Sequence, residues 1–348
     1  MSTIQGFMLI DVDVAALNNA GKDNSTSLEN AVMTKKIRKN GKEYPYVSGQ
    51  AWRYWWRESL TNNLNWIMSP VTREKKIAYT EANPIKYPDD DIFGYMRAAK
   101  IMIKDEKTGK EKSENVTLTR VSPLKNSAMI AVSYNPIIQN WSSMTRQEGD
   151  AVPYGKDEYS SIMKGMFSLD LEYAGTFTMQ NRSGFMNLNE SLREEALQNG
   201  TEIDDPILTN TDGKPVKLVR LNSDIRLKRI KDTILALKYL TGGAKQATNM
   251  ADVTPKLIIL ARFENGNHPF SHLAKEELGL PVFSTEALKE VLADYKNQFI
   301  GPVFIGKRKG FMDELDEQLQ LLKKEFAFVS VAPINESIDE FVNSIKLE

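Results

Sequence analysis

Residues 44–59 read YPYVSGQAWRYWWRES. Trp52, Trp55 and Trp56, with Arg53 and Arg57 among them, follow a Ser-Gly in a chain that holds only 5 Trp in 348 residues. Ser48 is a helix-capping residue type, and the pattern behind it predicts a helix from about 49 to 63. At about 100° per residue, Trp52, Trp55, Trp56 and Ser59–Leu60 share one face, while Gln50, Arg53 and Arg57 lie along another. The tryptophan face reads as core, because large aromatics at helical spacing bury. Two readings stand for the arginines. Guanidinium forks near a helix N-terminus suit a phosphate. On an exposed helix they would instead meet acidic neighbours such as Glu58.

Composition limits what the rest of the chain can be. At 41% hydrophobic and 26% charged, it can bury a core and remain soluble. No apolar run approaches the roughly 18 residues of a membrane span, and the start, MSTIQGFMLIDVDV, lacks the features of a signal peptide. A cytoplasmic location is expected. The absence of cysteine excludes disulfides, thiolate catalysis and cysteine-based metal sites. The net charge of −1 argues against a stand-alone nucleic-acid binder, but charge is unevenly spread. Residues 34–43, TKKIRKNGKE, hold five cations against one acid, and 217–231, KLVRLNSDIRLKRIK, hold six against one. Residues 311–348 hold nine acids against three lysines. Such blocks are either solvated faces or, together, a basic face opposed to an acidic one.

Along the chain, 4–17 reads as a strand, followed by the polar loop NNAGKDNSTSLEN. Asn40-Gly41 marks a hairpin turn. Residues 65–115 look irregular, with Asp89–Asp91 as helix-capping residues. Residues 116–134 read as a strand broken at Pro123, 135–165 as polar and turn-rich, and 166–179 as an alternating strand. Residues 181–216 are mixed, with a turn at TNTDGKP. Asp224 opens a helix to about 240, LIILARF is a buried strand, and from 281 onward short helices are expected at 284–296, 310–325 and 336–346. The order strand, helix, strand, strand, helix, strand fits an α+β fold with a ferredoxin-like (RRM-like) core and long insertions.

Catalytic chemistry is poorly supplied. His268 and His272 have i, i+4 spacing but no H-E-x-x-H and no third ligand, so no metal is expected. With no other histidine, acid–base and triad chemistry lack their usual parts. Asp11 and Asp13 form at best an unsupported carboxylate pair. The stretch LTGGAKQAT lacks Walker A spacing. Gly242 and Gly243 with Lys245 read either as a close backbone approach to a phosphate or as an ordinary helix end followed by a loop.

Taken together, GFMLIDVDVAALNNAG, the basic stretch, PYVSGQAWRYWWRESL and GGAKQ before LIILARF resemble CRISPR-associated RAMP backbone subunits. Within these the chain is most similar to the Cas-seven (DevR-like) subunit of a type I Cascade, subtype I-B. The resemblance covers most of 4–264 and is sharpest at 4–20 and 44–60. It implies an RRM-like palm (1–64, 116–134, 166–180 and 217–264), a finger at 65–115, a thumb hairpin at 135–165, an insertion at 181–216, and a C-terminal helical part (265–348) packed on the palm. It implies copies stacked in a filament along a guide RNA (crRNA), presenting it to target DNA beside other Cascade subunits. The RNA-binding residues it implies are Lys36, Arg38, Ser48, Gln50, Arg53, Arg57, Arg120, Gly243, Lys245 and Gln246. No cofactor and no enzymatic activity are expected. In related type III backbone subunits an aspartate in the loop after the first strand cuts target RNA. Asp23 occupies that loop here, so the competing reading is a metal-dependent RNA endonuclease. A stand-alone RNA chaperone is a third class.

Overall fold

The first strand, Thr3–Ala15, is buried at every position from Thr3 to Ile10. Its run of apolar residues follows from burial on both faces. A computed structural model of the chain, which describes residues 2–22, 32–74, 77–104, 111–146, 148–180 and 186–347, places this strand inside a large sheet. On one side it pairs antiparallel with Val152–Asp170, from Thr3 opposite Asp170 to Val12 opposite Ser161. On the other it pairs antiparallel with Leu257–Phe263, the LIILARF strand. The sheet order is Val329–Ala332, Val303–Lys307, Leu257–Phe263, Thr3–Ala15, Val152–Asp170, Met129–Ala131, Lys42–Val47, Lys36–Lys39.

The alternation of the first strand separates two cores. Ile4, Met8, Ile10 and Val12 join Trp52, Trp55 and Trp56, and residues of the helices Ser223–Leu235 and Ile334–Ser344. Phe7 and Leu9 point the other way, to Phe270, Phe283 and the helices Thr285–Asp294 and Asp316–Glu325. Gly6 is obligatory between them, since a Cβ there would lie 2.1 Å from the Phe167 ring.

The Trp helix runs Gly49–Leu64, as its pattern predicts. Ser48 caps it by accepting from the Ala51 amide at 3.3 Å, and Asn65 closes it in the left-handed region. Trp52 and Trp56 stack with ring centres 5.2 Å apart. Each buried indole N–H finds a carbonyl: Trp52 donates to Ser127 and Trp56 to Thr233, both at 2.7 Å. Asn40 and Gly41 both have positive φ, as a two-residue hairpin turn between Lys36–Lys39 and Lys42–Val47 requires.

Several segments carry more strand than their sequences announce. The C-terminal part, expected to be helical, contributes Val303–Lys307 and Val329–Ala332 to the main sheet, paired parallel, and a hairpin of Ala274–Glu277 with Leu280–Phe283. Apolar runs of four or five residues between helices have no period that distinguishes strand from helix. The region 65–115 holds two hairpins, Thr72–Glu74 with Ile77–Tyr79 and Tyr95–Lys104 with Glu111–Arg120, and the helix Pro88–Phe93. The polar stretch 135–165 contains Ile138–Met144 paired with the outer half of Val152–Asp170. A hairpin projecting into solvent needs no apolar face, which is why its sequence reads as turn-rich. Residues 181–185 lie outside the described residues; beyond them come the helix Glu190–Gln198 and Gly200–Thr209, in a small sheet with Thr176–Thr178 and Pro215–Leu221.

Trp56 is fully buried, ring-stacked and hydrogen-bonded. Trp56→Ala is expected to cost about 3–5 kcal/mol, read as a fall in the urea midpoint. A loss under about 1 kcal/mol would contradict this account of the helix seat.

Candidate nucleic-acid interface

The first strand ends irregularly. Its register shifts between Val12 and Ala15, and Val14 has φ +41, a conformation β-branched residues rarely adopt. The three residues that follow tie four distant segments together. Ala16 bridges Ala244, whose amide donates to the Leu17 carbonyl at 3.1 Å. The Leu17 amide donates to the Tyr159 hydroxyl at 3.3 Å. The Asn18 carbonyl accepts from the Lys35 amide at 2.7 Å and the Thr34 hydroxyl at 3.2 Å. The Asn18 side-chain oxygen accepts from the Ser48 amide at 3.0 Å. The glycine loop, the basic stretch, the start of the Trp helix and the long hairpin strand thus meet at one end of the sheet.

The glycines have defined tasks. A Cβ on Gly242 would lie 2.2 Å from the Trp55 ring, so the loop rests directly on the Trp helix. Gly243 has φ +107 and passes so close to Leu17 that a Cβ would stand 2.7 Å from Cδ2. Gln246 donates to the carbonyls of Gly242 and Ala251, the latter at 3.1 Å, and so staples the loop rather than facing outward. Lys245, half-buried with φ +57, extends over Tyr154 of the projecting hairpin, 6.0 Å from the ring centre.

The basic stretch forms the edge of the sheet. Lys36 and Arg38 are exposed and share Glu43 as ion-pair partner at 2.7 and 3.3 Å. The Lys36 hydrogen bond leads the effects that pull the Glu43 carboxyl below its usual range. Surface pairs of this kind are weak and exchange readily for another anion. Thr34 is fixed from behind by the buried Asp157, which accepts its amide proton at 2.8 Å.

The outer face of the Trp helix looks into a cleft of about 500 Å³ lined by Gln50, Arg53, Arg57, Tyr79, Phe93 and Arg120, among others. Arg53 and Arg120, placed among the RNA-binding residues by the resemblance, are buried and committed to protein acceptors. Arg53 donates to the carbonyls of Leu124 and Phe93, both at 2.7 Å, to Asn126 at 2.8 Å and to Ser122 at 2.9 Å. Burial, with Arg57 nearby, pushes its pKa down to about 10. Arg120 donates to Asp91, to the Thr176 carbonyl at 2.9 Å and to the Tyr173 carbonyl at 2.7 Å. Both therefore hold the Trp helix and the small sheet to the base of the 65–120 region. Arg57 differs: it lies over Phe93 at 4.2 Å, and no protein hydrogen bond claims it among the described residues. Gln50 is exposed at the cleft rim.

Asp89–Asp91 sit in the first turn of their helix, but they are buried rather than capping at a surface. Asp91 pairs with Arg120 and, at 2.7 Å, with Arg229. Two arginines of the second basic block are consumed in the same way, while its other paired cations form surface ion pairs. Arg226 and Arg229 bind backbone carbonyls, and Lys217, Arg220 and Lys228 pair with Asp204, Glu172 and Asp232. His268 is half-buried against the Gly6 carbonyl at 3.0 Å, and no three described His, Asp or Glu side chains could hold a metal ion. Asp23 lies outside the described residues. Asn18, Tyr154 and Asp157 organise this end of the sheet, although no sequence signal singled them out.

A family model described as "DevR: CRISPR-associated negative auto-regulator DevR/Csa2" matches residues 7–277. No protein with a curated description matches the chain. Among solved structures, the fold is similar to a chain of a "CRISPR RNA-guided surveillance complex, pre-nicking" with TM-score 0.55 and 11% identity, covering 98% of this chain and 99% of that one. A chain of another "CRISPR RNA-guided surveillance complex" matches with TM-score 0.50 and 10% identity over the same shares.

Burial pushes the Asp89 carboxyl up to about 6, against the Ser69 amide that donates to it at 2.9 Å. The folded state therefore binds a proton more readily than the unfolded chain, whose Asp titrates near ~3.9. The contribution of Asp89 to stability is expected to grow as pH falls from about 6 toward 4, and to be lost above 6. Asp89→Asn, which keeps an acceptor for Ser69, should flatten the change in urea stability between pH 8 and 5. An unaltered slope would contradict the buried-charge account.

Proposed function

The chain belongs to the CRISPR-associated DevR/Csa2 family, and on that premise we propose that it is the crRNA-binding backbone subunit of a type I Cascade, of subtype I-B. Copies stack into a filament along the guide and present it for pairing with target DNA, alongside other Cascade subunits in the cytoplasm. No described helix is long and apolar enough to cross a membrane. The observation that carries the reading is the meeting of the basic stretch, the Trp-helix start, the glycine loop and the hairpin strand at residues 16–18.

An RRM-like palm is consistent with the central strand order Leu257–Phe263, Thr3–Ala15, Val152–Asp170, Met129–Ala131, linked through the Trp helix and Ser223–Leu235. In this reading the 65–115 hairpins are the finger and Ile138–Met144 belongs to the thumb. RRM sheets stack bases on an open face. Here both faces are filled by helices, which leaves the end of the sheet and the adjoining cleft for the guide. Lys36, Arg38, Gln50, Arg57 and Lys245 meet its backbone, while Ser48, Arg53, Arg120, Gly243 and Gln246 hold the contacting segments in place. A few local cations suffice, because phosphates supply affinity and base pairing supplies sequence.

The role is that of a scaffold, without catalysis. The alternative, a target-RNA endonuclease using Asp23, requires cleavage of matched RNA with Mg²⁺ that Asp23→Ala abolishes. For the scaffold, Lys36→Ala, Arg38→Ala and Lys245→Ala combined should weaken RNA binding about equally for unrelated guide sequences. The slope of log affinity against log salt should fall by about two. A loss confined to particular sequences would contradict it.

A further inference from the structure

A cavity of about 380 Å³ lies where the small sheet meets the 120–125 segment. Asp170, which stands opposite Thr3 in the main sheet, lines it. The cavity therefore sits at the other end of the first strand from residues 16–18, and the proposed function gives it no task. Its walls are largely apolar, supplied by Val121, Pro123, Leu208 and Leu218.

Two carboxylates also line it. Asp170 is only 5% exposed, and one of its oxygens accepts the Glu172 and Tyr173 amides at 2.9 and 3.0 Å. Its other oxygen has no hydrogen-bond donor among the described residues. Burial raises this carboxyl above its ordinary range. Asp205 repeats the arrangement: one oxygen accepts the Ile207 and Leu208 amides at 2.9 and 3.0 Å, and the other is unclaimed among the described residues. Tyr173 stands beside both acids, since burial and then the Asp205 and Asp170 charges raise its phenol. Lys125 lines the cavity too, exposed and without an ion pair to either acid among the described residues.

Buried acceptors in an apolar cavity call for a cationic donor with an apolar stem. A bare metal ion does not suit walls that offer so few oxygens. A nucleic-acid backbone does not suit two carboxylates. An arginine meets every feature. Its stem lies on the leucines, its fork donates to the two free oxygens, and its flat face stacks on the Tyr173 ring. Around the mouth Val121 is 57% and Ile207 84% exposed. Exposed apolar groups beside a charged pocket suit the flanks of a polypeptide anchored by one buried side chain. We infer that this cavity receives an arginine projected by a partner protein. The inference does not depend on the guide-binding reading.

Acetyl-Leu-Arg-Leu-amide titrated into the full chain tests this, followed through the methyl NMR signals of Leu208 and Leu218. The expected result is a saturable shift with a Kd on the order of 1 mM. The same peptide with citrulline in place of arginine keeps the shape without the charge, and should bind at least about tenfold more weakly. Asp170→Asn and Asp205→Asn each keep an acceptor for their turn amides, and each should weaken the arginine peptide about tenfold. Equal affinity for the citrulline peptide, or no saturable shift in the wild-type chain, overturns the inference. Free L-arginine that binds as tightly as the peptide overturns the partner protein as its source. A uridine hexanucleotide that shifts the same methyl signals places RNA in the cavity and overturns it as well.

Discussion

Asn18 is the constraint on which the proposed nucleic-acid end of the sheet depends. One residue just past the first strand accepts three hydrogen bonds, from Lys35, Thr34 and Ser48. Its neighbour Leu17 accepts a fourth, from Ala244. Backbone groups at the end of a sheet need partners, and here the partners range from Thr34, 16 residues away in sequence, to the distant Ala244. The positions of the basic edge, the helix cap and the glycine loop are thereby set relative to one another. None of these segments carries a distinctive site alone. Their mutual placement brings the basic edge, the helix start and the glycine loop together at one end of the sheet.

The Trp helix gives that end of the sheet a rigid seat. Trp55 lies under Gly242 with no room for a Cβ, while Trp52 and Trp56 reach the sheet and Thr233. On the opposite side Arg53 binds four groups of the 93–126 segment. A buried guanidinium is costly unless its donors are satisfied, and breaking such a set leaves an uncompensated charge. Arg53 and Arg120 thus bind parts of the protein to one another, while Arg57, half-buried over Phe93 with Asp89 and Asp90 nearby, lines the cleft.

Much of this was legible in the sequence. The Trp helix, its Ser48 cap, the Asn40-Gly41 turn and the LIILARF strand follow from local rules that the fold obeys. The destinations of the arginines were not legible, because their acceptors are carbonyls that only the fold brings near. Leu124 is 71 residues from Arg53. Two arginines of the second basic block were hidden for the same reason: Arg226 and Arg229 sit on the inner face of an amphipathic helix and spend their charge inside. The strands Val303–Lys307 and Val329–Ala332 were hidden by brevity.

The central claim is that one end of the sheet holds an RNA backbone without reading its sequence. Nuclease protection of RNA bound by the chain tests it most directly. The account predicts protected lengths that grow in equal steps as copies are added, the same for unrelated guide sequences. Protection that depends on sequence, or a single protected length at every protein concentration, would contradict it.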